Sequence, residues 1–264
     1  MSSASFKRRF RFKYIVAVKV ETGKNKMIIK VMTYNIQHCR NHNLPGDVID
    51  FVNTAEPILK VNPDIVGLNE VRRGGADGFD DQPKILAEMC GGTPVFGKAV
   101  LLGDGMEYGN AVISKLHVSE IRNIPIPCPD TGKYSGHYEP RAVLGVTVEF
   151  GGKTITVFSV HAGLKPEEHE NAVKTLVEII KNEENPVILL GDFNMTPENE
   201  ILKQLASVVT DTAAELGNRD FTFSSDNPCK TIDYIWYKGL KPLHISTVKG
   251  IYSDHFPLTA EFEV

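Results

Sequence analysis

Apolar positions along this chain gather in short runs, and most of the runs end in a polar residue able to do chemistry. IIKVMTYN ends at Asn35, PDIVGLNE at Glu70, TITVFSVH at His161 and VILLGDFN at Asp192 and Asn194. TIDYIWY carries Asp233 near its beginning, and Asp254 and His255 stand just before the apolar part of SDHFPLTAEFEV. Runs this short, rich in branched aliphatics and bounded by Pro or Gly, read as strands covered on both faces. Side chains alternate along extended backbone, so Asp192 and Asn194 share one side if the extension persists through Phe193. The competing reading is a turn, since Asp and Asn are turn formers and Pro197 suits the start of a helix.

Helical spacing appears between these runs. PEEHENAVKTLVEIIKN aligns Ala172, Val173, Leu176, Val177 and Ile180 on one face, with Pro166 and Glu167 at its start. Similar patterns run from about Asp47 to Leu59 and from Gln82 to Met89. RAVLGVTVEF and GGKTITVFSV are joined by a Gly-Gly turn and read as an antiparallel hairpin. A purely parallel doubly wound sheet does not accommodate such hairpins; two mixed sheets packed face to face with helices outside do. The Gly-, Pro- and Tyr-rich stretches 103–109 and 128–140 read as long surface loops, where substrate selection tends to reside.

The N-terminal stretch is different. Phe10, Phe12, Tyr14, Val16, Val18 and Val20 alternate at strand period behind a basic cluster that Lys19 and the lack of a small-residue cleavage site separate from a secretory signal. Residues 1–26 are therefore expected to be an extension or an added edge strand, with Met27 an alternative start, and 27–264 the main domain. Composition narrows the class further. A hydrophobic fraction of 42% and a charged fraction of 23% are those of a soluble globular protein, and a net charge of −4 argues against a general polyanion binder. No apolar run reaches the roughly 20 residues of a membrane span. The four cysteines form no Cys-x-x-Cys pair, which points away from a zinc ribbon or disulfide framework and toward a reduced, cytoplasmic protein.

Taken in order, TYN (33–35), LNE (68–70), GNAVIS (109–114), VHAG (160–163), GDFN (191–194), IDYI (232–235) and SDH (253–255) resemble the endonuclease/exonuclease/phosphatase superfamily. The resemblance covers about Ile28 to the C-terminus. It implies a four-layer α/β sandwich with mainly antiparallel sheets, a divalent cation, usually Mg²⁺ with Mn²⁺ able to substitute, and hydrolysis of a phosphate ester. The donor types agree, since carboxylate, carboxamide and imidazole without thiolate form a hard-cation set. By resemblance Glu70 is the principal metal ligand, with Asn35 and Asp254 close by. Asp192 orients and deprotonates the attacking water, and Asn194 bonds a phosphoryl oxygen. His255, paired with Asp233, donates to the phosphoryl group. His161 is a second phosphate donor whose supporting acid is not evident, Glu107 fitting only loosely. Arg141 braces the site or the phosphate, and Asn110 in GNAVIS is assigned to substrate binding.

Taken singly, each residue has an ordinary structural role: a solvated glutamate, a turn asparagine, a core histidine, an Arg141–Glu139 surface pair. Their joint occurrence carries the assignment, and His38, His42, His117, His137, His169 and His244 lack that support. The acidic GDGMEY loop and the few cations of CPDTGKYSGHYEPR suit one small or mobile phosphodiester better than a long polyanion. A nucleic-acid substrate and a lipid headgroup both stay open, as do a nuclease proper and a binding protein that has lost catalysis. The oligomeric state does not follow from the sequence.

Overall fold

The computed structural model describes residues 26–74, 81–103 and 105–264; the alternating pattern at Phe10–Val20 lies outside them. The described residues form two six-stranded sheets. In the first, β1 (Ile28–Asn35) runs parallel to β2 (Ile65–Arg73), the crossover being α1 (Phe51–Val61). β3 (Thr93–Leu101) and β4 (Glu107–Ser114) extend that sheet on one side, β11 (Lys241–Thr247) and β12 (Leu258–Glu263) on the other.

The second sheet repeats the plan. β7 (Lys153–His161) runs parallel to β8 (Val187–Asp192) through α3 (Pro166–Lys181). Its flanks are β5 (Val118–Ile126) and β6 (Arg141–Phe150) on one side, β10 (Asp233–Lys238) and the two-residue β9 (Thr210–Asp211) on the other. Every other strand pair is antiparallel, including the β6–β7 hairpin with its turn at Gly151–Gly152.

Alternation along the strands builds three cores. Ile188 and Leu190 of β8 meet Val31, Ile65 and Val157 between the sheets, whereas Val187 and Leu189 pack under Ala172, Val173 and Leu176 of α3. Met32 and Tyr34 of β1 point the other way, toward Ala55 and Ile58 of α1 and Leu86 of α2 (Gln82–Cys90). Helix, sheet, sheet and helix thus make the four layers. Burial on both faces explains why the runs are apolar at every position rather than every second one. Asp50 and Asp81 cap α1 and α2 by accepting from the Asn53 and Lys84 backbone N–H groups, so the first helix begins later than its pattern alone suggests. No long helix starts at Pro197; only the short α4 (Leu202–Leu205) and, beyond it, α5 (Thr212–Glu215) follow. The 103–109 stretch is only partly loop, because β4 begins at Glu107. All four cysteines are free, Cys39 and Cys90 buried, Cys128 and Cys229 exposed. No described helix is long and apolar enough to cross a membrane.

Candidate active site

Parallel pairing brings the polar strand ends together. In the first sheet Asn35 lies level with Asn69, and in the second His161 lies level with Asp192. A cavity of about 400 Å³ opens where the two sheets meet, lined by Glu70, Arg141, His161, Asp192, Asn194 and Asp254, with His255 beside them. Asn35 and Asp233 stand directly behind it, each 1% exposed, and connect its lining groups to one another. Asn35 Nδ2 donates to Glu70 Oε1 and to Asp192 Oδ2, both at 3.0 Å, joining the acid of one sheet to the acid of the other.

Two of the expected strand ends differ in detail. β2 does not stop at Glu70 but runs on to Arg73, and its pairing with β4 shifts register between Leu68 and Val71. Glu70 sits in that bulge with φ of 57°. A bulge re-aims a side chain that the sheet would otherwise bury or expose by strict alternation. In GDFN the extension does not persist through Phe193. Asn194 adopts φ of 52° and its N–H donates to Asp192 Oδ1 at 2.9 Å. The turn and the site are one structure: the Asx-type turn closes while Asp192 stays in the cavity. Gly191 allows the approach, because a Cβ there would collide with the Val160 carbonyl oxygen.

Asp192 is held on several sides. Its backbone N–H donates to Asn69 Oδ1 at 3.1 Å, and its Oδ2 lies 3.6 Å from His161 Nε2 and 3.7 Å from His255 Nε2. Burial raises its carboxyl to about 7, against the opposing pull of the His255 charge. His255 Nδ1 meets Asp233 Oδ2 at 2.8 Å, the pairing expected from sequence. Burial by itself would lower that imidazole, yet Asp233 and Asp192 outweigh it and push it up to about 10, so the ring is charged at neutral pH. Phe223 packs against the ring at a centroid distance of 4.9 Å.

His161 is the reverse case. Its Nδ1 faces Arg141 Nη1 at 3.0 Å, and Arg141 also pairs with Glu139 at 3.2 Å. A guanidinium cannot accept, so Nδ1 accepts and the ring proton sits on Nε2, on the side of Asp192 Oδ2. Burial first, then the Arg141 and His255 charges, hold this imidazole well below its ordinary value. The sequence left its supporting partner open; the partner is this arginine, and Glu107 is engaged elsewhere with Arg73. Asn194 Nδ2 donates to Ala162 O at 3.0 Å and lies 3.1 Å from His161 Nε2. Asn110 does not line the cavity: it accepts from Asn69 Nδ2 and donates to Ala142 O, both at 2.8 Å, bracing the two sheets.

Some residues of the site were not singled out from the sequence. Tyr108 donates to Glu70 Oε2 at 2.8 Å, and Gln37 Nε2 donates to Asp254 Oδ2 at 3.0 Å. Asn69, inside LNE, ties Asp192 to Asn110 and to the Val160 carbonyl. Tyr108 belongs to a run, EYGNAVIS, whose alternation could have singled it out. Leu164, Thr196, Phe223, Lys230 and Ile232 complete the cavity wall.

Whether the site suits a hard divalent cation is answered by its donors. Glu70, Asp192 and Asp254 bring carboxylate oxygens to the cavity and no cysteine lines it. Asp192, Asp233 and His255 also form a buried group whose ligand atoms lie within 4.8 Å of one another. That trio is already closed by the Asp233–His255 hydrogen bond and holds an imidazolium, which repels a metal ion. Glu70 and Asp254, each with unused lone pairs on the cavity side of the fold, fit better.

The Endonuclease/Exonuclease/phosphatase family model matches residues 32–255, and the chain belongs to that family. Among relatives, a UPF0294 protein of Vibrio campbellii is 26% identical over 163 residues, 58% of this chain and 55% of its own length. The chain spans about half the length of the curated relatives it matches. An endonuclease/exonuclease/phosphatase from Beutenbergia cavernae shares the fold at a TM-score of 0.76 and 24% identity, over 90% of this chain and 72% of that one. ANGEL2, a 2′,3′-cyclic phosphatase, shares it at a TM-score of 0.70 and 16% identity, over 91% and 97%.

Proposed function

We propose that the protein is a divalent-metal-dependent phosphodiesterase that uses Mg²⁺ or Mn²⁺ and a water activated by Asp192. The observation that carries the reading is the Asp192 carboxylate, buried between the Nε2 atoms of a charged and a neutral histidine and joined through Asn35 to Glu70. Glu70 and Asp254, with Asn35 orienting Glu70, would hold the cation, which when bound supplies Lewis acidity at a phosphoryl oxygen. Asp192 takes a proton from water as the new O–P bond forms and the P–O bond to the leaving alcohol breaks. A carboxyl raised to about 7 is a stronger base than an ordinary aspartate and is still largely ionised above that pH. The departing alkoxide takes its proton from solvent.

His255, charged and fixed by Asp233, donates to a non-bridging oxygen as negative charge builds there. His161 offers Nε2–H without a charge of its own, and Arg141 fixes that tautomer. Asn194 donates to the Ala162 carbonyl, so its contribution is to hold the 161–163 segment against the GDFN turn. Hydrolysis of a phosphate ester requires on the order of 20 kcal/mol of barrier reduction, and a general base supplies about 10² to 10⁴-fold of the rate.

Release of p-nitrophenol from bis(p-nitrophenyl) phosphate, titrated with Mg²⁺ or Mn²⁺, tests the reading. Wild type should be metal-dependent. Asp192→Asn should lose at least about 10²-fold in kcat with its metal midpoint unchanged, and Glu70→Gln should shift that midpoint upward. Metal-independent release, or equal midpoints for Glu70→Gln and wild type, would remove the metal role of Glu70.

A further inference from the structure

Catalytic groups occupy only part of the cavity wall. Leu164, Phe223 and Ile232 line it as well, and so does Lys230. Leu164 is 73% exposed, the largest exposure of any large hydrophobic residue described, and it follows His161 by three positions. A single exposed leucine is ordinary, but this one does not sit on a free loop. The Leu164 and Lys165 backbone N–H groups both donate to Glu168 Oε2 at 3.1 Å, and the Gly163 carbonyl faces His169 Nε2 at 3.0 Å. Gly163 permits that clamp, since a Cβ there would collide with the Glu168 carboxylate. The first turn of α3 therefore anchors the backbone that carries this apolar side chain beside a polar site. Lys230 also lines the cavity and is exposed, and no carboxylate among the described residues pairs with its ammonium.

We infer that Leu164, Phe223 and Lys230 form a specificity subsite. It selects a compact phosphodiester whose non-leaving ester arm is flat and apolar on its face and carries a second anion. The inference rests on the phosphodiesterase reading of the same cavity. Water exclusion at Leu164 and Phe223 favours a planar ring over a polyol, which has no apolar face to offer. Lys230 supplies the charge for an anion lying beyond the scissile phosphate. A cavity of about 400 Å³ admits one such arm. The subsite thus disfavours sugar-polyol headgroups, although the catalytic groups are indifferent to what the phosphate carries.

Three esters with the same leaving group test it: methyl p-nitrophenyl phosphate, thymidine 5′-(p-nitrophenyl phosphate), and the latter carrying a 3′-phosphate. Wild type should favour the thymidine ester over the methyl ester by about tenfold or more in kcat/KM, through KM, the size of effect that holding a planar base gives. The added phosphate should improve it by about threefold further. Leu164→Ser, at a position exposed enough to leave folding intact, should bring the first ratio near one without changing the methyl-ester rate. Lys230→Gln should remove only the second gain. A wild-type ratio near one, or a ratio that Leu164→Ser leaves unchanged, overturns the subsite. Should no ester be hydrolysed at any metal concentration, the catalytic reading fails on its own, and calorimetric binding of thymidine 5′-monophosphate decides the subsite. Binding tighter than that of methyl phosphate and weakened about tenfold by Leu164→Ser upholds it; equal binding of the two ligands overturns it.

Discussion

The two sheets share a design and differ in chemistry. Each has one parallel pair joined through a helix, β1–α1–β2 in the first and β7–α3–β8 in the second, and each pair ends level at the cavity. The first ends in Asn35 and Asn69, neutral amides, with Glu70 displaced by a bulge. The second ends in His161 and Asp192, both shifted far from their ordinary ionisation. Neutral amides can fix a carboxylate without competing for a cation, whereas a buried imidazole and carboxyl can move protons. On the proposed function, one sheet end holds metal and the other does the acid–base work, with Asn35 bonded to both.

Substitutions on the two sides should therefore fail differently. The largest expected effect is on the second sheet: Asp233→Asn should lower kcat by about 10²-fold with an unchanged metal midpoint. It should also move the His255 titration, followed by NMR of the metal-free protein, down from about 10 to near or below its ordinary value. A rise in the metal midpoint instead would mean that Asp233 belongs to the cation site and would erase the division.

On the first sheet, Tyr108→Phe removes the donor to Glu70 Oε2. A metal midpoint raised by a few-fold to tenfold is expected, with kcat at saturating metal nearly kept, as for the groups that orient metal ligands. Loss of kcat alone would place Tyr108 with the acid–base groups.

The smallest effect concerns the support of the second sheet's loop. Burial holds His169 below its ordinary pKa, so the unfolded chain binds its proton first. Its share of stability is present above about pH 6.5 and is lost as pH falls through that value toward the folded pKa. Melting temperature measured from pH 7.5 to 5 should fall less steeply in His169→Gln than in wild type. Parallel curves would mean that His169 titrates alike in both states.

Much of this was legible in advance, and for a definite reason. The runs that end in Asn35, His161 and Asp192 are strands of the central parallel pairs, and a parallel strand leaves the core at its C-terminal end. The Asp233–His255 pair, by contrast, followed only from the family resemblance. What could not be read was set by register between strands. The bulge at Glu70 exists only because β4 pairs out of step with β2. Arg141 reaches His161 at the open end of the β6–β7 hairpin, but counting outward from Gly151–Gly152 sets His161 opposite Ala142, one position off, so the contact was not legible. Asn110, assigned to substrate from its motif, braces the sheets because Asn69 takes its acceptor and Ala142 its donor.

The Asn35–Asp192 hydrogen bond spans 157 residues of sequence, and Gln37–Asp254 spans 217. Contacts of that separation close last, after the loops between them have been paid for in chain entropy. A partly folded chain with either sheet formed alone lacks the Asn35–Asp192 bond and the cavity between the sheets. Catalytic competence in this protein should thus appear only at the final step of folding, later than secondary structure, and its recovery on refolding would report the docking of one sheet on the other.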